Sequence, residues 1–227
     1  MSTTRSHDES SYAQPDKVVI TDLALDLNLD FDARQISGTA TYTLEWKRED
    51  ANQLVLDTRE LDIRKVEAIG SDGSSTELAY ELAPADKVFG AKLTVTAISQ
   101  PQTVRITYAT APTASGLQWL EPGMTEGGKL PFMFSQSQAI HGRSWIPLQD
   151  TPGVRFTYSA NVRTRPDIMV LMSADNAPDA ARDGNYSFSM PQPIAAYLLA
   201  IAAGDLVFAP VSPRSGIWAE PSMVGKA

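Results

Sequence analysis

The chain has 227 residues, of which 43% are hydrophobic and 20% are charged, a composition that supports a folded core and excludes a wholly disordered protein. A formal charge of −8, from 19 Lys and Arg against 27 Asp and Glu, disfavours nucleic acid or an anionic membrane surface as a partner. Cysteine is absent, which excludes disulfides, thiolate nucleophiles and Cys-ligated metals and agrees with a cytoplasmic location.

The first strands are predicted close to the N-terminus. Residues 1–16 are rich in Ser, Thr and charge, and we predict a flexible or loosely attached tail there. Hydrophobic residues then recur with a period of two in residues 23–31 and again in residues 36–46, which is typical of strands with one buried face. The short polar stretch between the two runs predicts a hairpin. Gly38 indicates a bulge or a close approach of two backbones.

Further short strands are predicted along the rest of the chain. Apolar or alternating runs bounded by turn residues lie at 54–56, 61–69, 78–82, 93–97, 104–108, 154–162, 169–173 and 186–190. Residues 194–203 have a helix-compatible composition, but Pro193 and Gly204 bound the run and we predict a strand. The whole pattern predicts an all-β fold, a saddle-like sheet or a sandwich of mixed and antiparallel sheets, in a single domain over residues 17–215.

The middle of the chain, residues 115–152, interrupts this pattern with many Gly and Pro residues. Long irregular stretches inside a compact domain are usually functional, so we expect any site to lie here. The same stretch holds aromatic and amide side chains: Trp119, Phe132, Trp145, Gln136, Gln138 and Gln149.

The residues alone predict no catalytic centre and no metal site. His7 and His141 are the only histidines, and neither H-E-x-x-H nor G-x-S-x-G occurs. We interpret His141 as a structural hydrogen-bonding residue and Asp150, two residues before Pro152, as a turn residue that accepts hydrogen bonds from nearby backbone N–H groups. These patterns indicate a scaffold or binding domain.

Residues 134–141, F-S-Q-S-Q-A-I-H, resemble the F-S-Q-x-Q-A-I-H motif of the leukotriene-A(4) hydrolase branch of the aminopeptidase-N-like zinc metallopeptidases. Other pieces follow the order of that family: S-G-T-A at 37–40, L-D-T at 56–58, L-Q-W-L at 117–120, Q-D-T-P at 149–152 and Y-L-L-A at 197–200, followed by Gly204. Each piece is weak alone, but all of them together, in the order of the family, are specific.

This resemblance implies that the chain is the N-terminal β domain of a zinc aminopeptidase that cleaves peptides from the free N-terminus. By the same resemblance, the zinc and the catalytic residues belong to a following catalytic domain, a partner in the same polypeptide, and residues 216–227 begin the link to it. We therefore expect zinc in the parent enzyme, and no cofactor, no catalytic residue and no activity in this fragment alone.

The resemblance also implies a substrate-binding role for three residues. Gln138, followed by Ala139, matches the family position that meets the free amino group of the peptide, and Gln136 is expected to line the same cleft. A glutamine oxygen can accept a charge-assisted hydrogen bond from that ammonium group without adding a negative charge.

Two other functions stay open at this point. The first is a stand-alone β-scaffold module for binding or interaction, without catalysis. The second is an unrelated sandwich, such as a carbohydrate-binding domain, with Trp119, Trp145 and Phe132 as an aromatic platform. If the domain normally packs on a catalytic domain, an apolar patch should surround residues 132–145 and favour self-association.

Overall fold

A computed structural model of the chain describes residues 8–226. Helix within these residues is limited to 3₁₀ turns at Pro122–Met124, Gly142–Ser144, Ala196–Leu198 and Val224–Lys226, and none is long and apolar enough to cross a membrane. The strands are β1 (Val18–Asp30), β2 (Gln35–Trp46), β3 (Gln53–Thr58), β4 (Asp62–Ile69), β5 (Ser75–Glu77), β6 (Tyr80–Leu82), β7 (Ala91–Thr96), β8 (Thr103–Ala109), β9 (Leu117–Leu120), β10 (Phe132–Ser135), β11 (Phe156–Arg163), β12 (Met169–Met172), β13 (Asn185–Ile194), β14 (Ile201–Gly204), β15 (Val207–Ser212) and β16 (Ser215–Ala219). The predicted all-β class is confirmed.

The largest sheet has seven strands in the order β13-β11-β1-β2-β8-β4-β5. Within it only β1 and β11 run parallel, with Leu23 opposite Tyr158 and Leu27 opposite Val162. A four-stranded sheet (β12-β14-β10-β9), a three-stranded sheet (β3-β7-β6) and the β15-β16 hairpin complete the fold. One cluster of buried side chains draws on the seven-, four- and three-stranded sheets, so these sheets enclose a common core, as predicted for a single domain.

The hairpin of β1 and β2 shows why the alternating pattern predicted its strands correctly. Leu23, Leu25 and Leu27 are buried, whereas the residues between them are partly exposed. Gly38 in β2 has a φ of +151°, and a Cβ atom there would lie 1.9 Å from the carbonyl oxygen of Asp26 in β1. The close backbone approach predicted at Gly38 is therefore confirmed.

The predicted strand over residues 194–203 is wrong in its middle. β13 ends at Ile194, a 3₁₀ turn follows at Ala196–Leu198, and β14 begins at Ile201. Two serine hydroxyls satisfy the backbone here: Ser137 donates to the Leu199 carbonyl (2.7 Å), and Ser173 accepts from the Ala200 N–H (2.9 Å). Because these side chains replace ladder partners, the chain can leave one sheet and enter another without leaving buried groups unpaired.

The predicted loose attachment of residues 1–16 does not hold for the part that the structure describes; residues 1–7 lie outside it. Ser11 and Ala13 are buried. The Ser11 hydroxyl donates to Asp57 at 2.5 Å, and the Tyr12 N–H donates to the same carboxylate at 2.7 Å. A buried carboxylate thus holds this segment against β3.

Residues 207–226 fold back on the loop that follows β9. The rings of Phe208 and Trp218 pack with centroids 5.3 Å apart across the β15-β16 hairpin. The Glu220 carboxylate accepts hydrogen bonds from the N–H groups of Glu126 (2.9 Å) and Gly127 (3.1 Å). This carboxylate therefore links the end of the described chain to the 122–127 loop.

A buried, ion-paired glutamate on β4 is expected to make the free energy of unfolding depend on pH under acidic conditions. Glu67 is buried and pairs with Lys65 (2.8 Å) and Arg105 (3.0 Å). Lys65, and then Arg105, hold the pKa of Glu67 at about 2. Because this pKa is depressed on folding, the carboxylate stabilises the fold above its unfolded pKa of about 4.5, and the contribution is lost as the pH falls towards 2.

Glu67→Gln should therefore flatten the loss of stability between about pH 5 and pH 2. Urea unfolding followed by circular dichroism at several pH values measures this slope. Asp62→Asn is the matched control, because Asp62 lies on the same strand but pairs with Arg64 at the exposed surface. Equal slopes for Glu67→Gln and the unmodified chain would contradict the prediction.

Candidate functional site

The segment between β10 and β11 contacts all three main sheets. It leaves the four-stranded sheet at Ser135, and Leu148 then exchanges two backbone hydrogen bonds with Asp57 of β3. The Gln149 side chain accepts from the Ile20 N–H (2.9 Å) and donates to the Val18 carbonyl (2.8 Å) of β1. These contacts hold the segment rigidly although it lacks regular strands.

The glutamines predicted as site residues lie at the start of this segment. Gln136 and Gln138 are exposed, whereas Ser137 between them is buried. The Ser137 hydroxyl donates to the Leu199 carbonyl and accepts from the Trp145 indole N–H at 3.1 Å. Ser137 thus anchors the backbone from which both glutamines project to the surface. The peptide bond between Gln138 and Ala139 is cis.

Gln138 and Ala139 line an open cleft of about 750 Å³. Three chain segments and one aromatic residue form its walls, namely residues 8–10, 138–140 and 151–153, and Tyr197. Gln136 is not among the lining residues, so the structure brings Gln138 and Ala139 together in the cleft but not Gln136. The pattern of the sequence alone gave no signal for the contribution of residues 8–10 or Tyr197, which tertiary folding brings to the cleft.

The charge of this cleft is negative. Asp8 and Glu9 contribute carboxylates, and none of the lining residues is Lys, Arg or His. Burial tends to raise the pKa of Asp8, but hydrogen bonds from the Ser10 hydroxyl (2.6 Å) and N–H (2.9 Å) help to bring the pKa below its ordinary value. The carboxylate is therefore ionised at neutral pH and favours a cationic ligand.

A fully buried arginine lies behind the cleft. The Arg143 guanidinium contacts Asp150 through Nε (3.0 Å) and lies 3.7 Å from Asp57. Burial raises the pKa of both carboxyl groups, and the positive charge of Arg143 opposes this shift. The predicted turn role of Asp150 is confirmed by its hydrogen bond from the Arg143 N–H (3.1 Å), but the ion pair was missed. The sequence held one signal for this ion pair: Arg143 is the only charged residue in the stretch 142–149, which is followed by Asp150.

His141 is held by hydrogen bonds, as interpreted from the sequence. Its Nδ1 lies 2.9 Å from the Ser115 hydroxyl and 3.1 Å from Nη1 of Arg59. A guanidinium can only donate, so Nδ1 accepts. Burial, and then the charge of Arg59, lower the pKa of His141. A nitrogen that faces a cation does not fit a zinc ligand, and residues 8–226 contain no group of three or more His, Asp or Glu placed to hold a metal.

The aromatic residues do not form an exposed platform. Trp145 is fully buried, and half-buried Trp119 packs edge-on against Phe31 with centroids 5.3 Å apart. Of the residues in the apolar patch predicted around 132–145, Met133 and Trp145 are buried in the core, whereas Phe132, Phe134 and Ile140 are partly exposed. The patch stays a prediction. Exposed large hydrophobic residues lie elsewhere within the described chain, at Tyr80, Leu82, Val88, Ile98, Met124, Leu198, Val211 and Met223.

Known proteins similar to the chain are peptidases and hydrolases. Leukotriene A-4 hydrolase of Xenopus laevis is 37% identical over 225 residues, 96% of this chain and 36% of that protein. Leucine aminopeptidase 2 of Yarrowia lipolytica is 37% identical over 198 residues, 86% of this chain and 29% of that protein. The chain thus spans about a third of the length of these relatives.

Solved structures agree with this similarity. Yeast LTA4 hydrolase in complex with Bestatin superposes with a TM-score of 0.88 at 32% identity, over 99% of this chain and 35% of that one. An M1 zinc metallopeptidase from Deinococcus radiodurans, with a TM-score of 0.66 at 19% identity over 92% of this chain and 48% of that one, shares the fold. Residues 9–198 match the family described as Peptidase M1 N-terminal domain. This match covers well over half of the sequence, and the chain therefore belongs to the Peptidase M1 N-terminal domain family.

Proposed function

We propose that this chain forms one wall of the substrate cleft in a zinc aminopeptidase similar to leukotriene A-4 hydrolase, and that Gln138 binds the free amino group of the peptide. The observation that carries the proposal is the position of Gln138: it is exposed on an open cleft that has two carboxylates and no basic side chain. Membership of the peptidase family supports the same assignment.

The chemistry of an exopeptidase explains why such a residue is needed. An enzyme that removes the first residue must distinguish an N-terminal ammonium group from an internal amide. The Oε1 atom of Gln138 can accept a charge-assisted hydrogen bond from the ammonium, and the carboxylates of Asp8 and Glu9 attract the positive charge to the same cleft. Ala139 lines the cleft beside Gln138, where we propose that it contacts the substrate. Gln136 is exposed but does not line the cleft, and its proposed contact with the substrate would lie beyond the cleft wall.

The rest of the proposed enzyme lies on a catalytic domain of the same polypeptide, the partner of this domain. The described residues do not fit a zinc site, so we place the zinc, and the catalytic groups, on that partner domain. Residues 216–227 would begin the link to it, the chain alone would be inactive, and the enzyme would be cytoplasmic. A stand-alone binding module is not favoured, because the match covers only 36% and 29% of the two enzymes named above, leucine aminopeptidase 2 being the shorter match.

Substituting Gln138 in the full-length polypeptide tests the proposal. A hydrogen bond to a charged group contributes about 1.5–3 kcal/mol, so Gln138→Ala should lower kcat/KM for unblocked tripeptides by about 10- to 100-fold. Gln138→Glu should retain more activity, because it keeps an acceptor. Steady-state kinetics measures both variants.

Gln118→Ala is the matched control, because Gln118 is an equally exposed glutamine on β9 outside the cleft. Gln136→Ala tests the weaker assignment and should have a smaller effect than Gln138→Ala. If kcat/KM of Gln138→Ala equals that of the Gln118→Ala control, the proposed role of Gln138 is wrong.

A further inference from the structure

The walls of the cleft share a buried support. Nine of the ten lining residues belong to the segments 8–10, 138–140 and 151–153, and only Tyr197 comes from elsewhere. All three segments lie next to Arg143 or to one of its contacts. Residues 8–10 end at Ser10, whose carbonyl contacts the guanidinium. Residues 138–140 end three positions before Arg143, and residues 151–153 follow its partner Asp150. Arg143 is fully buried, so it cannot touch a ligand in the cleft.

The first wall, residues 8–10, is tied to the cluster by its backbone. Nη2 of Arg143 donates to the Ser10 carbonyl at 2.9 Å. Asp57 accepts from the Ser11 hydroxyl and from the Tyr12 N–H, so the chain is held on both sides of the Ser10–Ser11 peptide bond. Without these contacts the segment has no strand pairing to hold it, since β1 begins only at Val18.

The other two walls meet at Asp150. Its carboxylate accepts from the Arg143 N–H (3.1 Å) and from Nε (3.0 Å), and its carbonyl accepts from Nη2 (3.1 Å). The Asp150 N–H donates to Asp57 at 2.9 Å. Residues 151–153 follow Asp150 directly, and residues 138–140 precede Arg143 by three positions. One ion-pair cluster therefore sets the distance between these walls.

An arginine suits this position because of its donor geometry. Its guanidinium offers five N–H groups in a fixed plane, and here they reach acceptors on three separate segments: Asp150, Ser10 and the Phe89 carbonyl (2.8 Å). A lysine has three donors at one point and cannot reach all of these acceptors. The two carboxylates on the cluster also require a nearby cation in a site without water access.

We propose that Arg143, acting with Asp57 and Asp150, is a positioning residue for substrate binding: it holds residues 8–10, 138–140 and 151–153 at the spacing that lets Gln138 and the carboxylates of Asp8 and Glu9 act on one ligand. This inference rests on the proposed function of the cleft. It adds a residue that never touches the peptide, and it assigns residues 8–10 to the binding site.

The test uses Arg143→Lys and Asp57→Asn in the full-length polypeptide, with kinetics and amide hydrogen exchange as readouts. Arg143→Lys should raise KM for unblocked tripeptides about 10-fold or more while kcat changes less, because the walls are misplaced rather than removed. Hydrogen exchange should become faster in residues 8–13 and 138–153 together. Asp57→Asn should speed hydrogen exchange mainly in residues 8–13, because the Asp57 carboxylate directly accepts hydrogen bonds from that segment.

Glu67→Gln is the matched control, because Glu67 is also a buried carboxylate in ion pairs but lies on β4 and not in the cleft. It should lower stability and leave KM and the exchange of both segments unchanged. If Arg143→Lys behaves like Glu67→Gln, the cluster is only structural and the inference is wrong. Should Arg143→Lys fail to fold, Ser11→Ala removes one contact of the first wall and must still raise KM and the exchange of residues 8–13; unchanged values overturn the inference.

These results separate the inference from the proposed function. If Gln138→Ala has no effect but Arg143→Lys raises KM, the positioning role stands and the assignment of Gln138 fails. If Gln138→Ala lowers kcat/KM and Arg143→Lys changes neither KM nor local exchange, the proposed function stands and the inference fails.

Discussion

Trp145→Ala is expected to lower the free energy of unfolding by about 3–5 kcal/mol, the usual cost of removing a buried tryptophan. The indole of Trp145 is fully buried in the core and donates its N–H to the Ser137 hydroxyl. The substitution therefore leaves a large cavity and also removes a hydrogen bond from the residue that anchors Gln138. Urea unfolding of the chain measures the first effect, and kcat/KM of the full-length polypeptide measures the second.

Two variants separate these effects. Trp145→Phe retains much of the ring but cannot donate to Ser137, so it should lose less stability while still loosening the loop that carries Gln138. Trp46→Ala is the control, because Trp46 is only partly buried and donates to Pro101, away from the cleft. Equal losses of stability for Trp145→Ala and Trp46→Ala would contradict the assignment of Trp145 to the core.

Gly38→Ala is expected to lower the free energy of unfolding by about 3 kcal/mol or more. The new methyl group would lie 1.9 Å from the Asp26 carbonyl oxygen. The methyl group is fixed to the backbone of β2 and the oxygen belongs to the backbone of β1, so neither can move away without breaking the pairing of the two strands. The φ of +151° adds strain for any residue with a side chain. Thermal or urea unfolding measures the loss.

Gly73→Ala is the matched control for this prediction. Gly73 also has a positive φ, of +82°, but a Cβ atom there would meet nothing within 4 Å. Its substitution should cost only the conformational strain, about 1 kcal/mol. If both alanine variants lost the same stability, the backbone contact at Gly38 would not be the cause.

The parts of the fold that could be predicted from the sequence are those that depend on local pattern. Leu23, Leu25 and Leu27 alternate with polar residues because the β1-β2 hairpin has one buried face, and this information is present in neighbouring residues. The strand predicted over residues 194–203 was wrong because backbone groups there bond to the hydroxyls of Ser137 and Ser173, whose positions no local pattern encodes.

The candidate site shows the same division. Gln138 could be predicted as a site residue from a motif of eight consecutive residues, which the resemblance to a family makes informative. The role of Arg143 was missed because two of its acceptors lie far from it in sequence: Phe89 is 54 positions away, and Ser10 is 133 positions away. Only its partner Asp150 is close in sequence. Tyr197 and residues 8–10 were missed for the same reason, since tertiary folding alone places them on the cleft.

The parallel pairing of β1 with β11 bears on how the protein forms in the cell. β1 emerges from the ribosome well before its second neighbour, β11, which is synthesised only after more than a hundred further residues, as the pairing of Asp22 with Thr157 shows. Until then one edge of a long apolar strand has no partner, and such edges promote aggregation. Because distant pairings close large loops at an entropic cost, we expect slow folding and a need for chaperone protection during translation.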